Sequence, residues 1–340
     1  MSDRLAPIRL SLIGPAPRST LCRMDVLAGL LDGPRARGAF LLRAVLDPPW
    51  SMRVEDRAPL TLVSVVRGTA WATPDGGAPR RLGPGDIAIM RGPDPYVFAD
   101  DPATEPTVIV HPDGRTTSLD GTELCEVMEL GVRTWGDRPD SETMLLVGTY
   151  RMGGEVSRRL LGMLPAMLVL PHDAWDSPLI ALLEEEIVKD RPGQEVVLDR
   201  LLDLLLIAAL RAWFAGPEAA APGWYVAQGD PVVGRALRLL HDDPARPWTV
   251  AALAAESGAS RAALSRRFSE LVGEPPMGYL TGWRLALAAD LLREPDSTLE
   301  AVARRVGYGS AFALSAAFKR VRGVSPQQFR VTAGAAAIAS

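Results

Sequence analysis

Two periodicities divide the chain. Between residues 39 and 118 apolar residues gather in short runs: Ala39-Phe-Leu-Leu-Arg-Ala-Val-Leu46, Leu60-Thr-Leu-Val-Ser-Val-Val66 and Asp86-Ile-Ala-Ile-Met90. Proline and glycine clusters separate them at Pro48-Pro49, Pro74-Asp-Gly-Gly77, Gly83-Pro-Gly85 and Gly92-Pro-Asp-Pro95. Short β-rich runs between turn residues predict a small β-sandwich or barrel. Residues 122–127 and 144–150 are expected to add two strands. From about 155 the period becomes helical. Arg158–Leu164 is a short helix stopped by Pro165, and Ser177–Lys189 opens with a serine cap and Pro178 at the first helical position. Val196–Phe214 is long and apolar on most sides, yet Asp199, Arg200, Asp203 and Arg211 rule it out as a membrane span. Its apolar surface requires cover from other elements or from a second subunit. Gly216–Gly223 lacks periodicity and reads as a linker.

The last hundred residues carry a helix–turn–helix pattern twice, at what reads as a fixed offset. Helices are expected over 231–241, 249–256, 260–271, 277–293, 298–305, 310–321 and 326–331. Each pair has a turn glycine (Gly258, Gly307) and a serine placed to cap the second helix (Ser260, Ser310). Such a pair puts its second helix in a DNA major groove. The helix over 277–293 spans roughly 25 Å, a rigid spacer between reading heads about one DNA turn, roughly 34 Å, apart.

Charge strengthens this picture. The net charge of −4 argues weakly against a nucleic-acid partner, but residues 228–340 hold 14 Arg and Lys against 10 Asp and Glu, leaving the acidic excess in the remainder. The 47% apolar content is ample for packed cores. No apolar run reaches the roughly 18 residues of a membrane helix, and the N-terminus carries no secretory pattern. The two cysteines, Cys22 and Cys125, form no C-x-x-C motif. A reduced, cytoplasmic chain without a zinc finger or disulfide frame is therefore expected.

In the first recognition helix, Arg261, Ser265 and Arg266 are expected on one exposed face, with Leu264 and Phe268 inward. Arg266 has the reach for a bidentate guanine contact or, alternatively, a phosphate contact. Arg267 reads as a phosphate or surface residue. In the second, Ala311, Phe312, Ser315 and Ala316 should be exposed, with Lys319 one turn on and Arg320 beside it. Ala316 has no hydrogen-bond donor, so this head should read little by hydrogen bonding. It could touch thymine methyls through Ala311 or Phe312, or clamp phosphates through Lys319 and Arg320; packing of Phe312 is the plainer alternative. Arg304, Arg305 and Arg322 are further phosphate candidates.

Residues 231–331 resemble the DNA-binding domain of the AraC/XylS family of bacterial transcription regulators. The resemblance rests on Leu253-Ala254, Ser260, Leu264–Phe268, Gly273, Tyr279, Arg284-Leu285, Ala288, Leu291-Leu292, Val302-Ala303, Val306-Gly-Tyr308, Phe318-Lys-Arg320, Gly323–Pro326 and Phe329-Arg330. Members often carry a polar residue at the position of Ala311 or Phe312 and arginine at that of Ala316, so the second head departs from the pattern. Pro49-Trp50, Val66–Trp71 and Leu82–Ala88, with Leu164-Pro165 and Leu210–Trp213, resemble the cupin-like sensor of one branch.

The resemblance implies an α+β chain. A cupin-like sensor would occupy 1–154, a helical dimerisation segment 155–215, a linker 216–229, a double helix–turn–helix domain 230–332 and a tail 333–340. It also implies double-stranded DNA, a small-molecule effector, a second copy of the chain and RNA polymerase as partners, and no enzyme activity. Cupin enzymes hold metal with paired histidines. The three histidines here, His111, His172 and His241, are unpaired, and Tyr96 stands where the branch commonly has histidine, so no metal or cofactor is expected. Val147 precedes Gly148-Thr-Tyr150 where the branch often has cysteine, which counts against redox sensing. If the sensor binds an effector, Trp71, Met90, Tyr96 and Phe98, with Arg53 and Arg67 as charged partners, could line the site; alternatively the aromatic residues are core and Trp50 is structural. Two other readings stay open: a metal-dependent cupin enzyme fused to a DNA-binding module, and a ligand-independent dimeric regulator.

Overall fold

The computed structural model describes residues 40–150, 154–175, 177–216, 221–294 and 296–338; Cys22 lies outside them. Thirteen strands form two facing sheets among the described residues. The larger has the order β10 (Glu129–Gly131), β11 (Thr134–Gly136), β1 (Phe40–Leu46), β12 (Thr143–Tyr150), β3 (Leu60–Arg67), β6 (Ile87–Arg91) and β13 (Met167–Leu170). The smaller has the order β5 (Arg80–Leu82), β4 (Ala70–Pro74), β7 (Tyr96–Ala99), β2 (Ser51–Val54), β8 (Val108–Val110) and β9 (Thr116–Ser118). Pairing is antiparallel except at β1/β11 and β2/β8.

The larger sheet is covered on both faces. Ala44, Leu46, Val63, Val65, Ala88, Met90 and Leu145 point into the space between the sheets. Their strand neighbours Leu41, Leu60, Leu62, Ile87, Ile89 and Leu146 point outward against helices. Two-sided burial is why 60–66 reads as a continuous apolar run instead of an alternating one. The expected strand at 122–127 is absent. Glu123 makes a single bridge to Thr117, residues 125–128 turn, and the strand comes later at β10.

The helices are α1 (Glu155–Leu161), α2 (Leu179–Ile187), α3 (Gln194–Ala215), α4 (Gly223–Ala227), α5 (Val233–Asp242), α6 (Val250–Ser257), α7 (Arg261–Val272), α8 (Pro276–Leu291), α9 (Leu299–Arg305), α10 (Ala311–Arg322) and α11 (Pro326–Ile338). Pro178 is itself the N-cap of α2, with Ser177 one residue earlier accepting from the Leu179 N–H at 3.4 Å. The helix α3 buries Leu198, Leu202, Leu205, Leu206, Ala209, Leu210 and Phe214. Val196, Val197 and Leu204 remain exposed, so the chain covers only part of its apolar surface. Two helical stretches exceed the expected bounds. Inside the expected linker, α4 buries Trp224 and Ala227, and α11 continues through Ile338 into the expected tail.

One apolar core runs from the outer face of the larger sheet through α3 into the first helix–turn–helix, reaching Leu253, Leu264, Phe268 and Trp283. The second has its own core of Leu285, Ala288, Ala289, Leu292, Val302, Ala303, Val306, Leu314, Ala317 and Phe318. The spacer α8 supplies side chains to both, which makes it the shared wall of the two heads.

Candidate nucleic-acid interface

Each head is built by the same local chemistry. Thr249 caps α6 by accepting from the Ala252 N–H, and Thr298 caps α9 by accepting from the Ala301 N–H. Ser260 and Ser310 do the same for α7 and α10, through Ala263 and Ala313. The offset between copies is not constant. It is forty-nine residues at the threonine caps and fifty at the serine caps, because Gly309 adds one residue to the second turn. An edge-to-face ring pair then locks each recognition helix to the following helix. Phe268 meets Tyr279 at 5.8 Å and Phe318 meets Phe329 at 5.5 Å.

The relation between heads is fixed by Arg284 on α8. Its guanidinium donates to the carbonyls of Pro244 at 2.6 Å and Arg246 at 2.7 Å, ahead of α6, and lies 6.0 Å from the Tyr308 ring in the second turn. Burial holds its pKa below the usual arginine value. Arg330 on α11 closes the second head in a similar way, donating to the carbonyls of Leu292 and Ser297. Sequence reasoning placed both arginines in the family signature but gave neither a role, since their partners lie 33–40 residues away.

The structure places the expected DNA residues as follows. Arg261 and Arg266 are exposed on α7, Ser265 is half-buried, and Leu264 and Phe268 are fully buried. Arg266 approaches Glu270 at 3.8 Å, with both side chains mostly exposed. An exposed pair of this kind is worth about 1 kcal/mol or less, so it does not hold Arg266 away from a groove. Arg267 is differently placed. It pairs at 2.5 Å with Asp230, whose carboxylate also accepts from the Val232 and Val233 N–H groups at the start of α5. On α10, Phe312, Ala316, Lys319 and Arg320 are exposed, while Ala311 and Ser315 are half-buried. Arg304 and Arg305 are exposed; Arg322 instead turns to Glu155 of α1.

That last pair belongs to a seam between α1 and the spacer. Asp290 near the end of α8 accepts from the Glu155 N–H at 2.5 Å and the Val156 N–H at 3.1 Å. It thereby caps a helix contributed by the other half of the chain. Burial pushes its pKa up against the effect of those two bonds. Arg159 reaches Glu274 at 3.3 Å and lies 5.0 Å from the Tyr279 ring. No local pattern announces this seam, because its partners are more than a hundred residues apart.

The expected effector residues do not converge on one space, which corrects that expectation. Met90, Tyr96 and Phe98 are buried between the sheets. Strand alternation sends Arg53, next to core Met52, and Trp71, between core Ala70 and Ala72, to the opposite face of the smaller sheet. Arg53 pairs with Glu55 at 2.6 Å, and Arg67 donates to the Ser141 carbonyl at 2.5 Å. A cavity of about 270 Å³ opens elsewhere, between Arg133 and the start of α3. Trp50 is a core residue.

The inter-sheet space also does not suit the histidine set of a metal-holding cupin. His111 follows β8 and meets the Thr117 hydroxyl at 2.9 Å, His172 lies in a surface turn, and His241 is buried on α5. Among the described residues no cluster of three His, Cys, Asp or Glu has metal-holding geometry, and no helix is long and apolar enough to cross a membrane. Cys125 is exposed, with its sulfur accepting from the Thr116 N–H.

Two helix–turn–helix heads on one rigid spacer, docked to a β-sandwich, define a two-headed DNA-binding regulator. Residues 25–215 match the cupin family and residues 253–332 a helix-turn-helix domain family. An AraC-like transcription regulator of Streptomyces lividans is 33% identical over 312 residues, covering 90% of this chain and 98% of the relative. One from Streptomyces antibioticus is 31% identical over the same length, with the same coverage. The chain belongs to the AraC-like transcription regulators, with an N-terminal cupin domain and a C-terminal DNA-binding domain. Among solved structures, the DNA-binding domain of AdpA in complex with a target DNA is similar at 32% identity, covering 31% of this chain and 93% of that chain, with a TM-score of 0.29.

Proposed function

We propose that this regulator acts in the cytoplasm as a homodimer whose sandwich receives a small molecule, and that its first head supplies most of the hydrogen-bonded base reading. The observation that carries the reading is the asymmetry of the two recognition helices. Arg261 and Arg266 are exposed on α7, Arg266 with only a surface approach to Glu270, whereas Ala311 and Ala316 occupy the matching places on α10. Arg266 is assigned to a guanine edge, Arg261 and Ser265 to flanking contacts, and Lys319 and Arg320 to phosphates. Arg267 serves the fold through Asp230 before it serves DNA. The dimer contact is assigned to the exposed apolar side of α3, at Val197 and Leu204, and domain limits follow the sandwich, the α1–α3 segment and the region from α5 onward.

The test is selection from random duplexes with the wild-type protein and with Arg266→Ala. The variant is expected to lose about 1–3 kcal/mol on the selected site and to relax preference at one base pair. An unchanged preference removes Arg266 as a base reader. Stoichiometric metal in purified protein would favour the enzyme-fusion reading instead.

A further inference from the structure

A single exposed phenylalanine on a protein surface is ordinary. Phe312 differs in where it stands. At 83% exposure it is the most exposed large apolar side chain among the described residues, and it is the second residue of the second recognition helix. It is not needed for packing. Leu314, Ala317 and Phe318 face the core of this head, and Phe329 closes over Phe318 without it.

The fifty-residue correspondence between α7 and α10 shows what its position means. Ala262 matches Phe312, Arg266 matches Ala316 and Glu270 matches Arg320. The two heads present different chemistry. The first has the guanidinium of Arg261 and the methyl of Ala262 on its opening turn and the guanidinium of Arg266 on the next. The second has an aromatic ring on its opening turn, a methyl on the next, and then the cations Lys319 and Arg320. The opening turn of a recognition helix meets base edges, and in the major groove the apolar feature of those edges is the thymine C5-methyl. The flanking cations complement the phosphates on either side.

We propose that the Phe312 ring is a specificity determinant that reads thymine methyl groups in the half-site under the second head. This rests on the DNA-reading role argued above and makes the second head sequence-selective without hydrogen bonds. A methyl withdrawn from water against the ring strengthens binding by about fourfold.

The test uses the full-length protein and the duplex selected from a random library. The half-site of the second head is the part whose preference survives Arg266→Ala. Each thymine in it is replaced by deoxyuridine, which removes the methyl and leaves Watson–Crick pairing intact. Wild-type protein is expected to lose about fourfold in affinity for each contacted methyl. Phe312→Ala, with an unchanged thermal midpoint, is expected to bind the thymine and deoxyuridine duplexes equally. Arg266→Ala should keep the deoxyuridine penalty. Equal wild-type binding to both duplexes overturns the inference, as does a penalty that persists in Phe312→Ala; neither result touches the role of Arg266. Failure of the wild-type protein to enrich any sequence would defeat both readings together.

Discussion

Buried beside Arg159, the imidazole of His241 stays neutral far into acid. Burial, and next the charge of Arg159, lower its pKa from 6.5 to about 3. Its Nε2 lies 2.7 Å from the Tyr279 hydroxyl and its ring stacks 4.2 Å from Trp283. The unfolded chain takes up the proton near the ordinary value while the folded chain refuses it. The stability that depends on this group is thus complete above about 6.5 and is lost as pH falls toward 3. The expected slope is about 1.4 kcal/mol per pH unit inside that window. Urea titrations of wild type and His241→Gln at pH 7, 5 and 4, followed by tryptophan fluorescence, should show a flatter pH dependence in the variant. Parallel curves would remove His241 as the source. In the sequence His241 is only the last residue of an amphipathic helix. Its environment is made by Tyr279 and Trp283, about forty residues on, so nothing local marks it.

At the scale of elements, the turns of the two heads make different demands on similar glycines. Gly258 and Gly307 both adopt positive φ, at 72° and 82°. A Cβ on Gly258 would meet nothing within 4 Å, whereas one on Gly307 would lie 2.5 Å from the Ala245 carbonyl oxygen. Gly258→Ala is expected to lose about 1 kcal/mol through the backbone alone, and Gly307→Ala clearly more, because that carbonyl is backbone and cannot move aside cheaply. Thermal midpoints of the two variants check this ordering. Both turns were legible in the sequence because their signals are local: a glycine, a serine cap and apolar residues at helical spacing. The central strands were legible because burial on both faces leaves an apolar run. The strand β10 was not, since it depends on β11, and β11 on a parallel pairing with β1 far away in sequence. Helix α4, at five residues, is too short to show a period.

At the scale of the whole molecule, the seam at Asp290 joins the halves through two hydrogen bonds, from the Glu155 and Val156 N–H groups to the Asp290 carboxylate. Removing a helix cap of this kind typically costs about 1 kcal/mol, and here the loss falls between the domains. Asp290→Ala is expected to make the DNA-binding half unfold apart from the sandwich, seen in calorimetry as two transitions where wild type shows one. A single transition in the variant would mean that the apolar core shared by α3 and the first head suffices for cooperativity. The seam also sets limits on the reading of surface charge. Arg322, taken from sequence alone as a phosphate candidate, is occupied by Glu155, and Arg267 by Asp230.

Arg322 has one guanidinium and two acidic claimants, Glu155 in the resting chain and the phosphates of a bound duplex. If DNA draws that arginine away, α1 loses one of its ties to the DNA-binding half while the Asp290 cap remains. Thermodynamic linkage then works in both directions. A molecule that changes operator affinity by a given factor through this helix must itself bind more tightly or more weakly by the same factor when the operator is present. Operator DNA would then be an effector of the N-terminal domain, as much as any such molecule is an effector of operator binding.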